Sequence, residues 1–406
     1  MTLQRPIRAL LLEGIHPGAR DVLAAEGVSV TLMDKSPPKA DLPKLVKEYD
    51  VLGIRSKTQL TKDVLDAATD LIAIGAFCIG TNQIDLVKAN ANGVPVFNAP
   101  LSNTRSVAEL IIAEVVMLSR QLGDRSREVH LGQWNKRAVG CREIRGKTLG
   151  IVGYGHIGSQ VGVLAEAMGM RVAFYDIATR LPMGNNKPAP SLADLLGQSD
   201  FVTLHVPATA QTRHMIGASE IAQMRSGSYL LNASRGDVVV IDQLAGALQS
   251  GHLAGAAVDV YPEEPEANGT GFVSDLQNLN NVILTPHIGG STEEAQEAIG
   301  REVSTALAKF LTSGTTSSAV NFPHVDQPLL HGKHRILNVH RNVPGVMSDI
   351  TRIISDQKAN IFGQVLVTDP AIGYLVMDLD QEVSSEVCGQ IATLPTSIRT
   401  RRLEDR

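Results

Sequence analysis

Gly153-Tyr154-Gly155-His156-Ile157-Gly158 follows directly on the apolar run of residues 149–152 and precedes a helix-compatible stretch. Asp176 closes the next β-rich run, residues 171–175. A glycine pattern in that setting predicts a dinucleotide site. The first glycine permits the tight turn, the second lets the backbone approach a pyrophosphate, and the third lets the helix pack closely on the strand. The helix N-terminus then offers free N–H groups to the phosphates. Asp176 lies 18 residues after Gly158, where a carboxylate hydrogen-bonds both adenosine ribose hydroxyls and repels a 2′-phosphate, so NAD is expected over NADP. Three further segments hold candidate machinery: Asn232-Ala233-Ser234-Arg235-Gly236, residues 259–265, and Thr285-Pro286-His287-Ile288-Gly289-Gly290. Each sits at or near the end of a predicted strand. Open parallel sheets bind ligands beyond the carboxyl ends of their strands, so all three are expected around one nicotinamide.

Elements able to position these residues are visible along the chain. Residues 7–13, 28–34, 51–56, 71–77 and 94–99 predict strands that alternate with helical segments, which implies a parallel sheet with crossover helices. Residues 104–131 predict one long helix, with Val107, Leu110, Ile111, Val115 and Leu118 at helical spacing. A second βα series begins at Leu149, with strands expected near 171–175, 201–205, 228–232, 254–258 and 282–284, and a helix over 292–311 leads back towards the first sheet. Beyond a Ser, Thr, Gly and Pro-rich stretch, residues 335–402 alternate as β-α-β-β-α-β, the ferredoxin-like order. The expected architecture is two doubly wound parallel-sheet domains, one flavodoxin-like and one Rossmann, with a ferredoxin-like α+β domain appended. Its expected boundaries are 1–103 with 291–315, then 104–290, a linker at 316–332, and 333–406. The two chain crossings between the first two domains would form a hinge.

Gross properties narrow the function classes. A chain of 406 residues exceeds one ordinary core. A net charge of −5 gives no reason to expect a nucleic-acid partner. No segment approaches the roughly 18 apolar residues of a membrane helix. The basic and apolar start reads as a first strand rather than a signal peptide, so the cytoplasm is the expected compartment. Cys78, Cys141 and Cys388 are scattered and odd in number, which fits reduced thiols rather than a disulfide frame or a metal cluster.

The chain resembles the D-2-hydroxyacid dehydrogenase family. The motifs that carry the likeness run from Val51-Leu52-Gly53-Ile54-Arg55-Ser56 through Cys78-Ile79-Gly80-Thr81-Asn82-Gln83 and Asn98-Ala99-Pro100 to the C-terminal domain. The resemblance implies His287 as the acid–base residue, Glu264 as its carboxylate partner, and Arg235 as the clamp on the substrate carboxylate and carbonyl. Glu263 and Glu266 flank Glu264. The choice of Glu264 rests on matching Asp259-Val260-Tyr261-Pro262 to the family's Asp-Val-Phe-Pro, two residues before the catalytic carboxylate. Side-chain chemistry agrees with these roles. Oxidising a hydroxyl by hydride loss leaves a proton that an imidazole accepts near neutral pH, a carboxylate on the far ring nitrogen fixes its tautomer, and arginine binds a carboxylate through two parallel hydrogen bonds. Taken singly, a histidine that caps a helix, a solvated glutamate or a loop-bridging arginine would explain each residue equally well. Their order in three family motifs sets them apart.

The same resemblance extends to the remaining contacts. Asp259 is expected on the nicotinamide carboxamide, His156 and Ile157 on the pyrophosphate, and Ala233, Ser234, Gly289 and Gly290 around the nicotinamide. Arg55, Ser56 and Lys57, with Asn103 as a further candidate, are expected to take a phosphate, although Lys57 lacks the bidentate fork of the family's arginine. The implied reaction is oxidation of 3-phosphoglycerate to 3-phosphooxypyruvate across a cleft between two domains. A reductase of glyoxylate, hydroxypyruvate or 2-oxoglutarate is the rival within the class, and a non-catalytic NAD-sensing module is the rival outside it. His340-Arg341-Asn342-Val343-Pro344-Gly345-Val346 resembles the loop by which ACT domains bind a small amino acid. His340, Asn342 and Asn360 are therefore expected to meet L-serine as a feedback effector. A tetramer is the implied assembly, with Trp134 and Lys136 reaching a neighbouring subunit.

Overall fold

The computed structural model describes residues 5–265 and 268–404. Five strands form the first sheet: β1 (Arg8–Leu11), β2 (Ser29–Leu32), β3 (Val51–Ile54), β4 (Ala73–Ala76) and β5 (Val96–Asn98). All its pairs are parallel, in the order β2-β1-β3-β4-β5. That is the flavodoxin-like arrangement. β3 and β4 are buried along their whole length, as expected where helices cover both faces of a parallel sheet.

The second sheet comprises β6 (Thr148–Val152), β7 (Arg171–Tyr175), β8 (Lys187–Pro188), β9 (Phe201–Leu204), β10 (Ser228–Asn232), β11 (Leu253–Val258) and β12 (Val282–Leu284). Its order is β12-β11-β10-β9-β6-β7-β8, again all parallel. Chain direction along the sheet reverses between β6 and β9, which places the ligand crevice there. β8 has no counterpart among the sequence-based expectations, because two residues, one a proline, carry no alternation to read.

The third sheet holds β13 (His334–Arg341), β14 (Ile361–Thr368), β15 (Ile372–Leu379) and β16 (Ser397–Leu403) in the order β14-β15-β13-β16. All its pairs are antiparallel, and the helices Val346–Asp356 and Gln381–Ala392 complete a ferredoxin-like unit.

By contacts the chain divides into two compact units, Met1–Ser102 with Gln296–Arg406, and Asn103–Ala295. Within the first unit one apolar core serves both sheets. Phe97, Phe310, Phe322, Leu337, Val339 and Tyr374 belong to it, and each such side chain contributes about 1.5–3 kcal/mol on burial. The segment expected as a linker is not a free tether. Asn321 accepts from Val96 N–H at 2.8 Å, Val320 N–H donates to the Val96 carbonyl at 2.8 Å, and Phe322 and Val325 are buried. Arg335, 1% exposed, meets Asp378 through two bonds of 2.7 and 2.9 Å and donates to the carbonyls of Ser313, Gln327 and Pro328. Small polar residues thus mark an irregular segment here, while long-range partners give it order.

The long helix expected over residues 104–131 is two helices, Thr104–Arg120 and Leu122–His130. Gln121 separates them in the left-handed region, at φ 51°. The first helix buries Val107, Ile111, Val115 and Leu118, whereas the second buries no residue. No core contact therefore demands that the second helix continue the axis of the first. Trp134 follows it and is 85% exposed. Among the described residues, no helix is long and apolar enough to cross a membrane.

Candidate active site

The turn after β6 assigns a distinct job to each glycine. Gly153 adopts φ 88°, and a Cβ there would lie 2.4 Å from the carbonyl oxygen of His205, so only glycine fits the turn. A Cβ on Gly158 would lie 2.1 Å from the Gly153 carbonyl oxygen, which is the close approach of helix to turn. Around a Cβ placed on Gly155, no described atom beyond its own chain neighbours comes within 4 Å. The middle glycine therefore faces open space, the form a pyrophosphate cradle requires. Helix His156–Ala167 starts at this point and directs its first amides and positive dipole end the same way. Asp176 closes the loop by accepting the Tyr154 N–H at 2.9 Å. These residues fit NAD.

Across the switch point, His205 stands one residue past β9. Its Nε2 lies 3.0 Å from Thr203 Oγ1, and burial pushes its imidazole down to about 3, so it is neutral. Sequence reasoning did not single it out, since a histidine following a strand carries no spacing signal.

His287 lies in the loop after β12, at φ 54°, a left-handed conformation uncommon outside glycine. Its backbone N–H donates to the Asp259 carbonyl at 2.8 Å. The Asp259 side chain, 1% exposed, binds the same loop: Oδ1 accepts from Thr285 Oγ1 at 2.6 Å and Ile288 N–H at 2.8 Å, and Oδ2 from Gly289 N–H at 2.8 Å. A carboxylate has about four acceptor positions, so one remains, on Oδ2. Asp259 thus organises the histidine loop, and its remaining position is available to a carboxamide.

Glu264 Oε2 and Oε1 lie 2.8 and 3.0 Å from His287 Nδ1, and Oε1 also accepts the Tyr261 N–H at 3.1 Å. The bond to Glu264 raises the His287 pKa from its ordinary value. Partial desolvation opposes this, the charges of Glu264 and Asp259 add to it, and Arg235 opposes it. Glu264 moves the other way. Burial alone would push it up, but the His287 bond and charge, the Tyr261 amide and Arg235 outweigh burial and hold it low. Nδ1 is thereby committed to Glu264, and Nε2 is left for proton exchange. Glu263 has no such bond, and Glu266 lies outside the described residues.

Arg235 follows β10. Its Nη1 donates to the Ser234 carbonyl at 2.6 Å, and Asn232 braces the loop from both sides, donating to the Arg235 carbonyl at 3.0 Å and accepting from Ser234 Oγ at 2.8 Å. Gly236 sets the spacing to the glutamate loop. A Cβ there would stand 2.0 Å from the Tyr261 carbonyl carbon and 2.4 Å from Pro262 N. Gly236→Ala is expected to push the Arg235 and Glu264 loops apart. Overpacking of this kind costs about 1–3 kcal/mol of stability, and a misplacement near 1 Å costs roughly 10²-fold in rate. Turnover measured beside the melting temperature checks this, and near-normal turnover would count against it.

Glu114 escaped the sequence reading because an acid at helical spacing looks like a solvated face. It is 2% exposed, and its Oε1 has no hydrogen-bond partner among the described residues. Burial first and then the charge of Asp259 push it up to about 8, so it is largely neutral at pH 7. Asn103 also lies in this unit, packed against Gly290, where a Cβ would stand 2.3 Å from its Nδ2.

Arg55, Ser56 and Lys57 lie in the other unit, in the loop after β3. Buried Glu13 accepts the backbone N–H groups of Arg55, Lys57 and Thr58 at 3.2, 3.0 and 2.8 Å, and Gln83 Nε2 donates to the Arg55 carbonyl at 2.7 Å. The loop is held by its backbone, so the Lys57 and Ser56 side chains remain exposed and Arg55 half-buried. The three effector candidates are not joined by hydrogen bonds among the described residues. His340 is 3% exposed with Nδ1 on Asn338 at 2.9 Å, while exposed Asn342 donates to the Asp369 carbonyl at 2.7 Å and Asn360 to Asp380 at 3.3 Å. The Nδ1 of His340 is thus engaged within its own sheet. Strand alternation puts it on the same face of β13 as Ile336 and Asn338, all three buried.

Comparison with known proteins agrees with this geometry. The model of the D-isomer specific 2-hydroxyacid dehydrogenase NAD binding domain matches residues 112–289, and that of the AHAS small subunit-like ACT domain matches residues 336–399. D-3-phosphoglycerate dehydrogenase of Dictyostelium discoideum is 56% identical over 397 residues, covering 98% of this chain and 97% of that protein. The enzyme of the same name from Escherichia coli K12 is 50% identical over 400 residues, with the same coverage. Among solved structures, D-lactate dehydrogenase from Aquifex aeolicus, complexed with NAD and lactic acid, superimposes with a TM-score of 0.66 at 28% identity, covering 78% of this chain and 99% of that one. The chain belongs to the D-2-hydroxyacid dehydrogenase family and, within it, to the D-3-phosphoglycerate dehydrogenases.

Proposed function

We propose that this protein is an NAD-dependent dehydrogenase that oxidises D-3-phosphoglycerate to 3-phosphooxypyruvate, the step that opens L-serine biosynthesis. The observation that carries the mechanism is the His287–Glu264 bond beyond the carboxyl ends of a sheet built for a dinucleotide. When bound, NAD supplies the hydride acceptor. His287 Nε2 takes the hydroxyl proton as the hydride leaves the same carbon, and Glu264 on Nδ1 stabilises the imidazolium that forms. Arg235 grips the substrate carboxylate through its planar fork and orients that carbon. Asp259 holds the histidine loop and offers its remaining acceptor position to the carboxamide. Arg55 and Lys57, with Ser56 between them, recognise the phosphate. In the reductive direction the same imidazolium returns the proton.

The C-terminal domain is proposed to take L-serine through Asn342 and Asn360, the exposed members of the effector set, at the interface of two such domains in a tetramer. Steady-state assays over a panel of D-2-hydroxyacids, with and without serine, test both readings. Wild type is expected to favour the phosphorylated acid. Arg55→Ala is expected to erase most of that preference, about 10- to 100-fold in kcat/KM for loss of a charge-assisted bond. Asn342→Ala is expected to blunt serine inhibition without changing uninhibited turnover. Equal kcat/KM for phosphorylated and unphosphorylated acids in wild type would instead favour a glyoxylate, hydroxypyruvate or 2-oxoglutarate reductase. An Asn342→Ala protein with an unaltered serine response would remove the effector assignment.

A further inference from the structure

The first sheet has a crevice of its own. Its order β2-β1-β3-β4-β5 reverses direction between β1 and β3, and open parallel sheets take ligands beyond the carboxyl ends of their strands at such a point. Glu13 lies two residues past β1, and Arg55 is the first residue past β3. Glu13 adopts φ 66°, a left-handed conformation that is uncommon outside glycine and that recurs at ligand clamps whose surroundings enforce it. Glycine adopts it without strain, as Gly14 does at φ 62°. The position therefore carries a side chain for what that side chain holds. Glu13 is 9% exposed. Its Oε1 accepts the N–H groups of Arg55 at 3.2 Å and Thr58 at 2.8 Å, and its Oε2 accepts that of Lys57 at 3.0 Å. The left-handed turn also presents the Glu13 carbonyl to Arg55 Nη1 at 3.4 Å. Gln83, 8% exposed, completes the grip by donating to the Arg55 carbonyl at 2.7 Å. Charge alone argues against an acid here, because a carboxylate beside two cations weakens their pull on a phosphate. Geometry accounts for it instead.

We propose that Glu13 is a positioning residue for substrate class: it fixes the backbone from which Arg55 and Lys57 project, and so sets the preference for a phosphate-bearing acid. Arginine and lysine side chains are long and flexible, so a phosphate gains most from them where the chain beneath is already held in place. Glu13 acts through those two cations. The inference rests on the reading of Arg55 and Lys57 as the phosphate contacts, and it deepens that reading by naming the buried acid that aims them.

Steady-state reduction by NADH of 3-phosphooxypyruvate and of hydroxypyruvate, the same oxoacid without its phosphate, tests the proposal on the full-length protein. Wild type is expected to prefer the phosphorylated acid. Glu13→Gln keeps the length of the side chain but has one acceptor oxygen, and it sets an amide N–H against the loop's own donors. It is expected to raise KM for 3-phosphooxypyruvate about 10- to 100-fold with kcat nearly unchanged, the range of a charge-assisted bond lost or misplaced. For hydroxypyruvate kcat/KM should move by less than about 3-fold, since that acid makes no use of the aimed cations. Loss of the negative charge by itself would act in the opposite direction and lower KM for the phosphorylated acid. Glu13→Gly removes the carboxylate without backbone strain, should give the same loss, and serves if the glutamine variant unfolds. A folded variant that keeps or strengthens the phosphate preference overturns the inference. So does an equal loss on both acids, or a failure of both variants to fold, because Glu13 would then be a structural residue only. If wild type does not distinguish the two acids, the reading of the phosphate contacts fails first, and this inference falls with it.

Discussion

His287→Asn is expected to lower kcat about 10²- to 10⁴-fold, the range for removal of a positioned general acid–base group, while NAD binding and the melting temperature stay near wild type. Asparagine is the informative replacement because residue 287 sits at φ 54°. Asparagine tolerates left-handed backbone better than alanine does, so a lost rate is not confounded with a strained loop. Its amide cannot take up a proton. Glu264 is half-exposed, so loss of its partner leaves no deeply buried charge to destabilise the fold. The residual rate should also lose the pH dependence that belongs to the imidazole. Near-normal turnover in the folded variant would remove His287 from the proton path.

Arg235→Ala is expected to cost kcat/KM by a similar factor, about 10²- to 10⁴-fold, because the substrate carboxylate loses a bidentate charged partner and the reacting carbon loses its orientation. Arg235→Lys separates the two contributions. It keeps the charge but not the fork, so KM should recover more than kcat does. The guanidinium also opposes protonation of His287, so its removal raises the imidazole pKa further. Oxidation then requires a higher pH. If Arg235→Ala left kcat/KM unchanged, the substrate would have to be held elsewhere.

The parts of this molecule that sequence could reveal are those set by local rules. The glycine turn after β6, the alternation of strands and helices, and the β-α-β-β-α-β order near the C-terminus each follow from short-range pattern. The structure carries all three. What could not be read depends on partners distant in sequence. Gln121 interrupts a periodic helix because no core contact requires residues 122–130 to continue its axis. The Ser, Thr and Pro-rich segment after residue 315 is ordered by Val96, Asp378 and Tyr374, which lie far away along the chain. Glu114 becomes a neutral acid only because the fold buries it within range of Asp259. His340 closes the buried run of β13 and is held through Nδ1 by Asn338, a contact that its place in a loop-like motif does not reveal. Spacing identifies which residues can do chemistry, while burial decides their charge and direction.

The pH dependence of kcat/KM for 3-phosphoglycerate oxidation, in wild type and Glu264→Gln, tests the central claim most directly. Oxidation needs the neutral imidazole, so the rate climbs as pH rises through the His287 pKa of the free enzyme. Glu264 raises that pKa above the ordinary 6.5, while desolvation and Arg235 oppose it. The wild-type limb should therefore lie above the ordinary histidine value, and in Glu264→Gln, where the largest upward influence is gone and only the charge of Asp259 still opposes desolvation and Arg235, it should move to lower pH as the plateau rate falls. A limb that stays in place in Glu264→Gln would contradict the account, because the group that titrates would then not be the imidazole paired with Glu264.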